Sequence, residues 1–181
     1  MYNTGVVPNY TTNGITLSSI KTSRELLEYT RNFVGGVAVS LGNKALKRNA
    51  DMAIVNLITM GDTNVNIHHI ISKDSVDDFI KEWKRYGSDI KYHVLLPLMP
   101  SGRSSKGLDE GVFEYLEEKI LEENVTNVAF GAHFCKYLKN SKIPTYLYPP
   151  ESLSKNVILT KDKVQITPSS FNLNPIKIIE L

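Results

Sequence analysis

The feature that most constrains the fold is a fourfold alternation of short apolar runs with longer helix-forming stretches. Strands that alternate with helices in this way predict parallel strands joined by right-handed crossovers. The runs are almost continuously apolar, which is typical of parallel strands covered on both faces. We therefore predict an α/β fold with about four parallel strands. The apolar runs lie at 5–10, 37–42, 64–72 and 91–100, and the helical stretches at 23–33, 43–61, 74–87 and 109–124.

Spacing within the first two helical stretches predicts which residues face the core. In the first stretch we expect Ser23 to be the N-cap and one face to pack on the sheet, with Leu26, Leu27, Thr30 and Phe33. In the second stretch the predicted apolar stripe consists of Leu46, Met52, Ala53 and Leu57.

The C-terminal part of the chain has a different pattern. Residues 127–134 predict a further short strand, and residues 156–170 form two alternating β runs around a Lys-Asp-Lys turn. Such a pattern predicts a terminal β-hairpin. We therefore expect two parts, a (βα)4 domain over 1–126 and a β-rich extension over 127–181 that packs on it.

Charge and cysteine content exclude several classes of protein. The formal net charge is +2, and no arginine-rich run is interleaved with aromatic residues, so direct binding of nucleic acid is not favoured. Cys135 is the only cysteine, which rules out an internal disulfide and fits a reducing compartment. The N-terminus lacks the pattern of a signal peptide, and no apolar run approaches the roughly 20 residues that span a bilayer. We therefore expect a cytoplasmic protein without membrane contact.

Polar residues follow the ends of the predicted strands, where parallel α/β sheets gather their chemistry. This row contains no carboxylate, so hydrolysis by a pair of acids has no obvious carriers. Its members are Thr11, Thr12, Asn13, Ser40, His69, Ser72, Pro100, Ser101 and Arg103.

Two other kinds of site have weak signals. His133 and Cys135, with His68, His69 or His93, could form a zinc site, but no C-x2-C or H-E-x-x-H pattern supports one, and a packed His/Cys pair is the favoured interpretation. The same cysteine could also act as a nucleophile beside a histidine, although an inert thiol is favoured.

The loop at 100–107 resembles a phosphate-binding loop, because it holds two glycines and three serines with Arg103 and Lys106. It departs from the P-loop pattern, since Leu108 stands where that pattern requires a lysine after the second glycine. A polar loop at the end of a strand is therefore favoured over an anion site.

Four segments together resemble the later part of the partial TIM barrel of radical SAM enzymes. The resemblance implies a truncated half-barrel in which the strand at 6–14 is the family's third and the strand at 35–42 is its fourth. It also implies residual cofactor contacts at the strand ends, namely Thr12, Asn13, Ser40 and Arg103, with Ser40 near the ribose of SAM. The segments are VVPNYTTNG (6–14), GGVAVSLG (35–42), YHVLLPLMPSGR (92–103) and NVILTKDKVQITPSSF (156–171).

The chain departs from this family at its cofactor. The family holds a [4Fe–4S] cluster with three cysteines spaced C-x3-C-x2-C, and one cysteine cannot supply those thiolates. We therefore expect no catalytic residues, no metal and no cofactor beyond a residual affinity for SAM, and we lean towards a protein that is not an enzyme.

A half-barrel without its first two strands has an open edge, which is a template for pairing with another chain. We expect this edge, with Val6, Val7, Asn9 and Tyr10, to bind a partner protein or a second copy. The favoured function is a non-catalytic protein-binding module on a degenerate radical SAM scaffold. Its most specific form is a phage or mobile-element inhibitor of a host defence nuclease, of the anti-CRISPR type. The alternatives are one half of a split radical SAM enzyme completed by a cysteine-bearing partner, and a residual SAM or nucleotide-binding module.

Overall fold

The structure, a computed structural model, describes residues 7–42, 44–62, 64–99 and 107–143 together with three strands near the C-terminus. The chain divides into two compact units, Met1–Gly131 and Ala132–Leu181.

The first unit is built on a five-stranded sheet in which every neighbouring pair is parallel. The strand order is β1-β2-β3-β4-β5, so each strand lies beside the one that precedes it in the chain. This confirms the predicted α/β class with its parallel strands. The fifth strand pairs with β4, so the sheet extends past the predicted domain boundary at residue 126. The strands are β1 (Asn9–Thr12), β2 (Gly36–Ser40), β3 (Val65–Ile71), β4 (Tyr92–Pro97) and β5 (Val128–Phe130).

The helices that connect these strands lie on one face of the sheet. Right-handed crossovers between strands in sequential order place each helix on the same side. Contacts between successive helices agree with this: α1 packs on α2, and ion pairs join α2 to α3 and α3 to α4. A sheet with its helices outside and its strands in sequential order has the layout of a half-barrel. The helices are α1 (Ile20–Phe33), α2 (Lys47–Thr59), α3 (Val76–Tyr86) and α4 (Glu110–Glu122).

Alternation along the strands separates two faces of the sheet. In β3, Val65, Ile67 and Ile71 are buried towards the helices, whereas Asn66 and His68 point the other way. The register of the neighbouring strands extends this division across the sheet. We call the face without helices the inner face; its residues on β1 to β4 are Asn9, Thr11, Gly36, Ala38, Ser40, Asn66, His68, Ile70, Tyr92, Val94 and Leu96.

The core lies between the sheet and the helices. Leu27, Val39, Ile54, Leu57 and Ile67 are completely buried there. Burying each such side chain contributes about 1.5–3 kcal/mol, so this layer holds the helices on the sheet.

Two expectations for the first helices were wrong in detail. Ser23 was expected to cap α1, but the helix begins at Ile20 and the Ser23 hydroxyl, inside the helix, donates to the carbonyl of Thr16. Met52 was expected in the core stripe of α2, but it is exposed, and Ile54 takes that position. The first helix thus starts earlier than expected, and the buried face of α2 is centred on Ala53, Ile54 and Leu57.

Among its described residues, the second unit has a short helix, α5 (Cys135–Leu138), and three antiparallel strands. The strands β6 (Asn156–Leu159), β7 (Lys163–Thr167) and β8 (Lys177–Glu180) follow the order β6-β7-β8. The turn expected between β6 and β7 lies outside the described residues, so the hairpin remains a prediction.

Within the described segments, none of the helices has both the length and the apolar character required to cross a membrane.

Candidate functional site

Thr12 and Asn13, two of the residues expected to touch a cofactor, form the turn that follows β1. The hydroxyl oxygen of Thr12 accepts a hydrogen bond from the backbone N–H of Gly14 at 3.1 Å, and the Asn13 side chain accepts one from the N–H of Ile15 at 3.2 Å. Gly14 has φ +83°, and a Cβ there would lie 2.7 Å from the Cα of Ala50. The two side chains therefore shape a tight turn against α2.

Of the other two residues expected to touch a cofactor, the structure describes Ser40 but not Arg103. Ser40 ends β2 on the inner face, opposite His68 of β3 in the sheet register. Thr12 lies opposite Val39, so the sheet brings Thr12 and Ser40 to the same end of adjacent strands. Arg103 lies outside the described residues.

Two of the histidines considered as metal ligands form a buried pair on the helix side of the sheet. His69 Nε2 lies 3.0 Å from His93 Nδ1, and the Phe79 ring packs edge-on to His69. Burial lowers the pKa of His69 to about 3, helped by the neighbouring His93, and burial lowers the pKa of His93 to about 4. Both rings are therefore neutral at physiological pH. Such a pair is a core hydrogen bond between strands β3 and β4.

The metal alternative has no support in the part of the chain that the structure describes, where no three His, Cys, Asp or Glu side chains come together. His68 lies on the opposite face of the sheet from His69, and burial lowers its pKa. The Cys135 side chain lies outside the described residues, so the pairing with His133 remains a prediction.

A cluster of charged side chains joins α2 to α3. Lys47 Nζ lies 2.5 Å from Glu82 Oε1, and Asp51 accepts hydrogen bonds from Arg85 at 3.1 Å and from the Tyr86 hydroxyl at 2.9 Å. These groups are mutually paired, so their arrangement explains how two helices are held together.

The first strand is the edge of the sheet. Within the described residues, β1 has β2 as its one hydrogen-bonded neighbour. Val7, just before the strand, is 64% exposed, and Asn9 is exposed as well. Tyr10 points towards α1, where its hydroxyl lies 2.8 Å from Thr30 Oγ1 and burial raises the pKa of its phenol. Val6 lies outside the described residues.

An apolar groove of about 370 Å³ runs beside this edge, between β1 and α1. Pro8, Tyr10, Leu26, Tyr29 and Val34 line it, and we call it the β1–α1 groove. None of the residues lining it carries a formal charge. The groove and the unpaired edge of β1 thus form one continuous surface.

Exposed apolar side chains gather around this groove. The Tyr29 and Phe33 rings contact each other, with centroids 5.0 Å apart. Leu26, Tyr29 and Phe33 lie on one face of α1, and each is exposed by about two fifths or more. Exposed apolar side chains of α1 thus continue from the lining of the groove.

The groove was not expected from the sequence. Leu26 and Phe33 were assigned to the core face of α1 together with Leu27 and Thr30, but they are 39% and 40% exposed, whereas Leu27 and Thr30 are buried. The available signal was a second apolar stripe at Leu26, Tyr29 and Phe33, with the i, i+3, i+7 spacing of one helix face.

The fold and the site have been compared with known proteins. Protein-family models, curated protein sequences and solved structures gave no match to this chain. The resemblance to radical SAM enzymes therefore remains a prediction from the sequence.

Proposed function

We propose that this chain is a non-catalytic protein-binding module that receives a β-strand of another polypeptide along β1 and apolar side chains of that polypeptide in the β1–α1 groove. The observation that carries this proposal is the continuity between an unpaired strand edge and an exposed apolar groove. Main-chain hydrogen bonds along such an edge supply affinity, and pockets beside it supply specificity.

The internal contacts of the first unit indicate what kind of partner fits. Each of the strands β2, β3 and β4 has a parallel neighbour on both sides, and successive helices pack against one another. The outer side of β1 and α1 is a surface of the same kind with one partner missing from the described residues. The expected occupant is therefore an extended strand that pairs with β1 and brings apolar side chains over Leu26 and Tyr29.

The chemistry of the groove agrees with an apolar occupant. Leu26 and Tyr29 are 39% and 47% exposed, so a partner can still remove much of their surface from water. Fully burying a side chain of this size contributes about 1.5–3 kcal/mol. Covering the exposed parts of several such side chains therefore contributes substantially to the affinity for a partner. A second copy of this chain is the main competing occupant, and the experiment below distinguishes it.

The test combines identification of a partner with a reconstituted complex. Tagged protein is recovered from its natural host, the partner is identified by mass spectrometry, and the recombinant pair is then mixed. The variant Leu26→Lys/Tyr29→Lys should weaken the complex at least about tenfold, since it places two charges in the interface. Met52→Lys/Val55→Lys is the matched control, because both residues are exposed apolar positions on α2.

Three results would contradict the proposal. The first is an unchanged affinity of the Leu26→Lys/Tyr29→Lys variant. The second is a complex in which the amides of β1 exchange hydrogen as fast as in the free protein. The third is a protein that remains monomeric at high concentration and recovers no partner. If the free protein forms a dimer and the Leu26→Lys/Tyr29→Lys variant disrupts it, the occupant of the groove is a second copy of this chain. That result would reject a different protein as the partner.

A second candidate is one half of a split radical SAM enzyme. The observation that favours it is the sequential order of five parallel strands with helices on one face, because a further strand could extend that sheet beyond β1. In this case, co-expression with a cysteine-bearing partner should yield an iron-containing complex, and its failure to incorporate iron would reject the candidate. A residual affinity of Thr12, Asn13, Ser40 and Arg103 for SAM would appear as a thermal shift with SAM alone.

The cellular setting is part of the same proposal. The lone cysteine supports a cytoplasmic location. A host defence nuclease of the CRISPR type as the partner remains a prediction from the sequence, and nothing in the β1–α1 groove bears on it.

A further inference from the structure

Three buried side-chain atoms of the described residues lack a hydrogen-bond partner: Glu82 Oε2, His93 Nε2 and Asn66 Oδ1. Glu82 and His93 lie on the helix side, and each is held by a short contact through its other polar atom, Glu82 with Lys47 and His93 with His69. Asn66 lies on the inner face of the sheet. Because an unsatisfied buried polar group is costly, its presence requires a specific explanation.

Asn66 lies among several polar side chains whose hydrogen-bonding groups are unpaired within the described residues. Its amide nitrogen makes one long contact, 3.4 Å to the carbonyl of Asn64. Thr11, Asn9, His68 and Tyr92 share the inner face with it, and none of their side chains has a hydrogen-bond partner among the described residues. The sheet register sets Thr11, Ala38, Asn66 and Tyr92 side by side across four strands.

These side chains surround a hollow of about 490 Å³ on the inner face, at the end where the strands begin. The small residues Gly36 and Ala38 form its floor on β2, between the polar side chains of β1 and β3. A volume of this size is within the usual range for small-molecule sites. The hollow lies at the opposite end of the strands from Thr12 and Ser40, where the sequence predicted a cofactor.

The charges around the hollow favour an anion. Lys91 is the one charged side chain among the residues that line it, and no carboxylate is present there. The Lys91 ammonium is held in place by a hydrogen bond of 2.9 Å to the side-chain oxygen of Asn64. Burial lowers the pKa of His68, so this imidazole is neutral and adds no second charge.

Asn66 and its neighbours favour a planar ligand with its own donors and acceptors. A carboxamide offers an adjacent donor and acceptor, which matches the hydrogen-bonding edge of a nucleobase. Tyr92 lies beside Asn66 in the register and His68 lies two residues further along the same strand, so two flat rings flank the amide. Aromatic rings of this kind stack on any of the nucleobases, because every base has a flat π-face.

We infer that the inner face holds a binding site for a free nucleoside monophosphate, with the base at Asn66 between Tyr92 and His68 and the phosphate at Lys91. The site is independent of the proposed binding of a partner at the outer edge of β1. A single-stranded nucleic acid presents similar groups, but the hollow has one cation and the chain has a formal net charge of only +2, which favours a small ligand.

The test uses the full chain and four named probes: AMP, GMP, CMP and UMP. Calorimetry should detect saturable binding of at least one of them, and NMR should map the shifted amides to residues 66, 68 and 92. Asn66→Asp keeps the shape of the side chain but replaces its donor with a charged acceptor, so it should lower affinity at least about tenfold. Lys91→Met should weaken the nucleotide by about tenfold while leaving the corresponding nucleoside almost unaffected.

Controls separate this site from charge effects and from loss of the fold. Lys81→Met removes an exposed lysine on the helix side and should bind the nucleotide normally. An unchanged thermal melt of Asn66→Asp excludes unfolding as the cause of its effect. The inference is rejected if none of the four nucleotides saturates, if the shifts map elsewhere, or if inorganic phosphate binds as tightly as the nucleotide. Tighter binding of a single-stranded oligonucleotide than of any mononucleotide would also reject it.

Discussion

Acidification should destabilise this protein strongly, because the unfolded chain binds protons at His69 and His93 that the buried pair in the folded protein excludes. Both rings are at least nine-tenths buried, and the two nitrogens that face each other lie 3.0 Å apart. Only one proton can lie between these nitrogens, so the two rings cannot both be protonated in this arrangement, and burial disfavours even a single charge on the pair. The folded state therefore excludes the protonated form that the unfolded chain accepts freely.

The size of the effect follows from the pKa values. Each histidine has a pKa near 6.5 in the unfolded chain, against about 3 for His69 and about 4 for His93 in the folded protein. Because the folded values are lower, the unfolded chain binds more protons below pH 6.5. Their contribution to stability is complete above about pH 6.5 and is lost as the pH falls towards 4 and then 3. Between pH 7.5 and pH 5, each histidine accounts for about 2 kcal/mol and the pair for about 4 kcal/mol.

The assay is urea denaturation at a series of pH values, followed by the fluorescence of Trp83. This is the only tryptophan of the chain, and its indole N–H donates to the carbonyl of Thr126 at 3.1 Å, so it reports on the first unit. The variant His69→Gln should retain about half of the pH dependence, about 2 kcal/mol. His68→Gln, on the inner face, should retain most of it.

The pKa values of the two imidazoles can also be measured in the wild-type protein, so the test does not depend on whether a histidine variant folds. In the wild-type protein, the NMR signals of His69 and His93 should not titrate between pH 7.5 and pH 5. A midpoint near pH 6.5 for either ring, or a loss of stability smaller than about 1 kcal/mol over this range, would refute the reasoning about the buried pair.

Three substitutions test other parts of the fold by the same denaturation assay at pH 7.5. Gly14→Ala should cost at least about 2 kcal/mol, because its positive φ and the 2.7 Å approach to the backbone of α2 both disfavour a side chain; a neutral effect would contradict the tight turn. Asn56→Ala should cost about 1–3 kcal/mol, because it leaves the carbonyl of Leu17 without its buried donor; a loss below about 0.5 kcal/mol would contradict that role. Asp51→Asn should cost only about 1 kcal/mol, because Lys47 and Arg85 are partly exposed and screened; a much larger loss would show that the cluster is more buried than its exposure indicates.

The fold class was predictable because its signal is spread over the whole chain. Strand and helix alternate along most of the chain, and no single residue decides this pattern. The expectation that the strands are covered on both faces was not met within the described residues: in β3 the buried side chains alternate with half-buried or exposed ones, because helices cover one face of the sheet. Local features were harder to predict. Ser23 resembles a helix cap, but α1 begins earlier, with Ser19 at the N-cap position, and the hydroxyl of Ser23 donates to the carbonyl of Thr16 in the preceding turn.

The sites were less predictable than the fold, since they depend on the strand register and on the rotation of helices. The adjacent histidines His68 and His69 necessarily lie on opposite faces of a strand, but the contact of His69 with His93 requires the pairing of β3 with β4. The β1–α1 groove depends similarly on which stripe of α1 turns inwards. Leu26 and Leu27 are equally apolar, and only packing against the sheet selects Leu27 for the core.

The central claim is that the outer edge of β1 receives a strand of another polypeptide. Amide hydrogen exchange at Asn9–Thr12 tests it most directly, first in the isolated protein and then in the reconstituted complex with its partner. The account predicts that these amides exchange faster than those of β3 in the isolated protein and slow by at least about tenfold in the complex. Amides of β1 that are as protected as those of β3 in an isolated monomer, or that do not change in the complex, would contradict it.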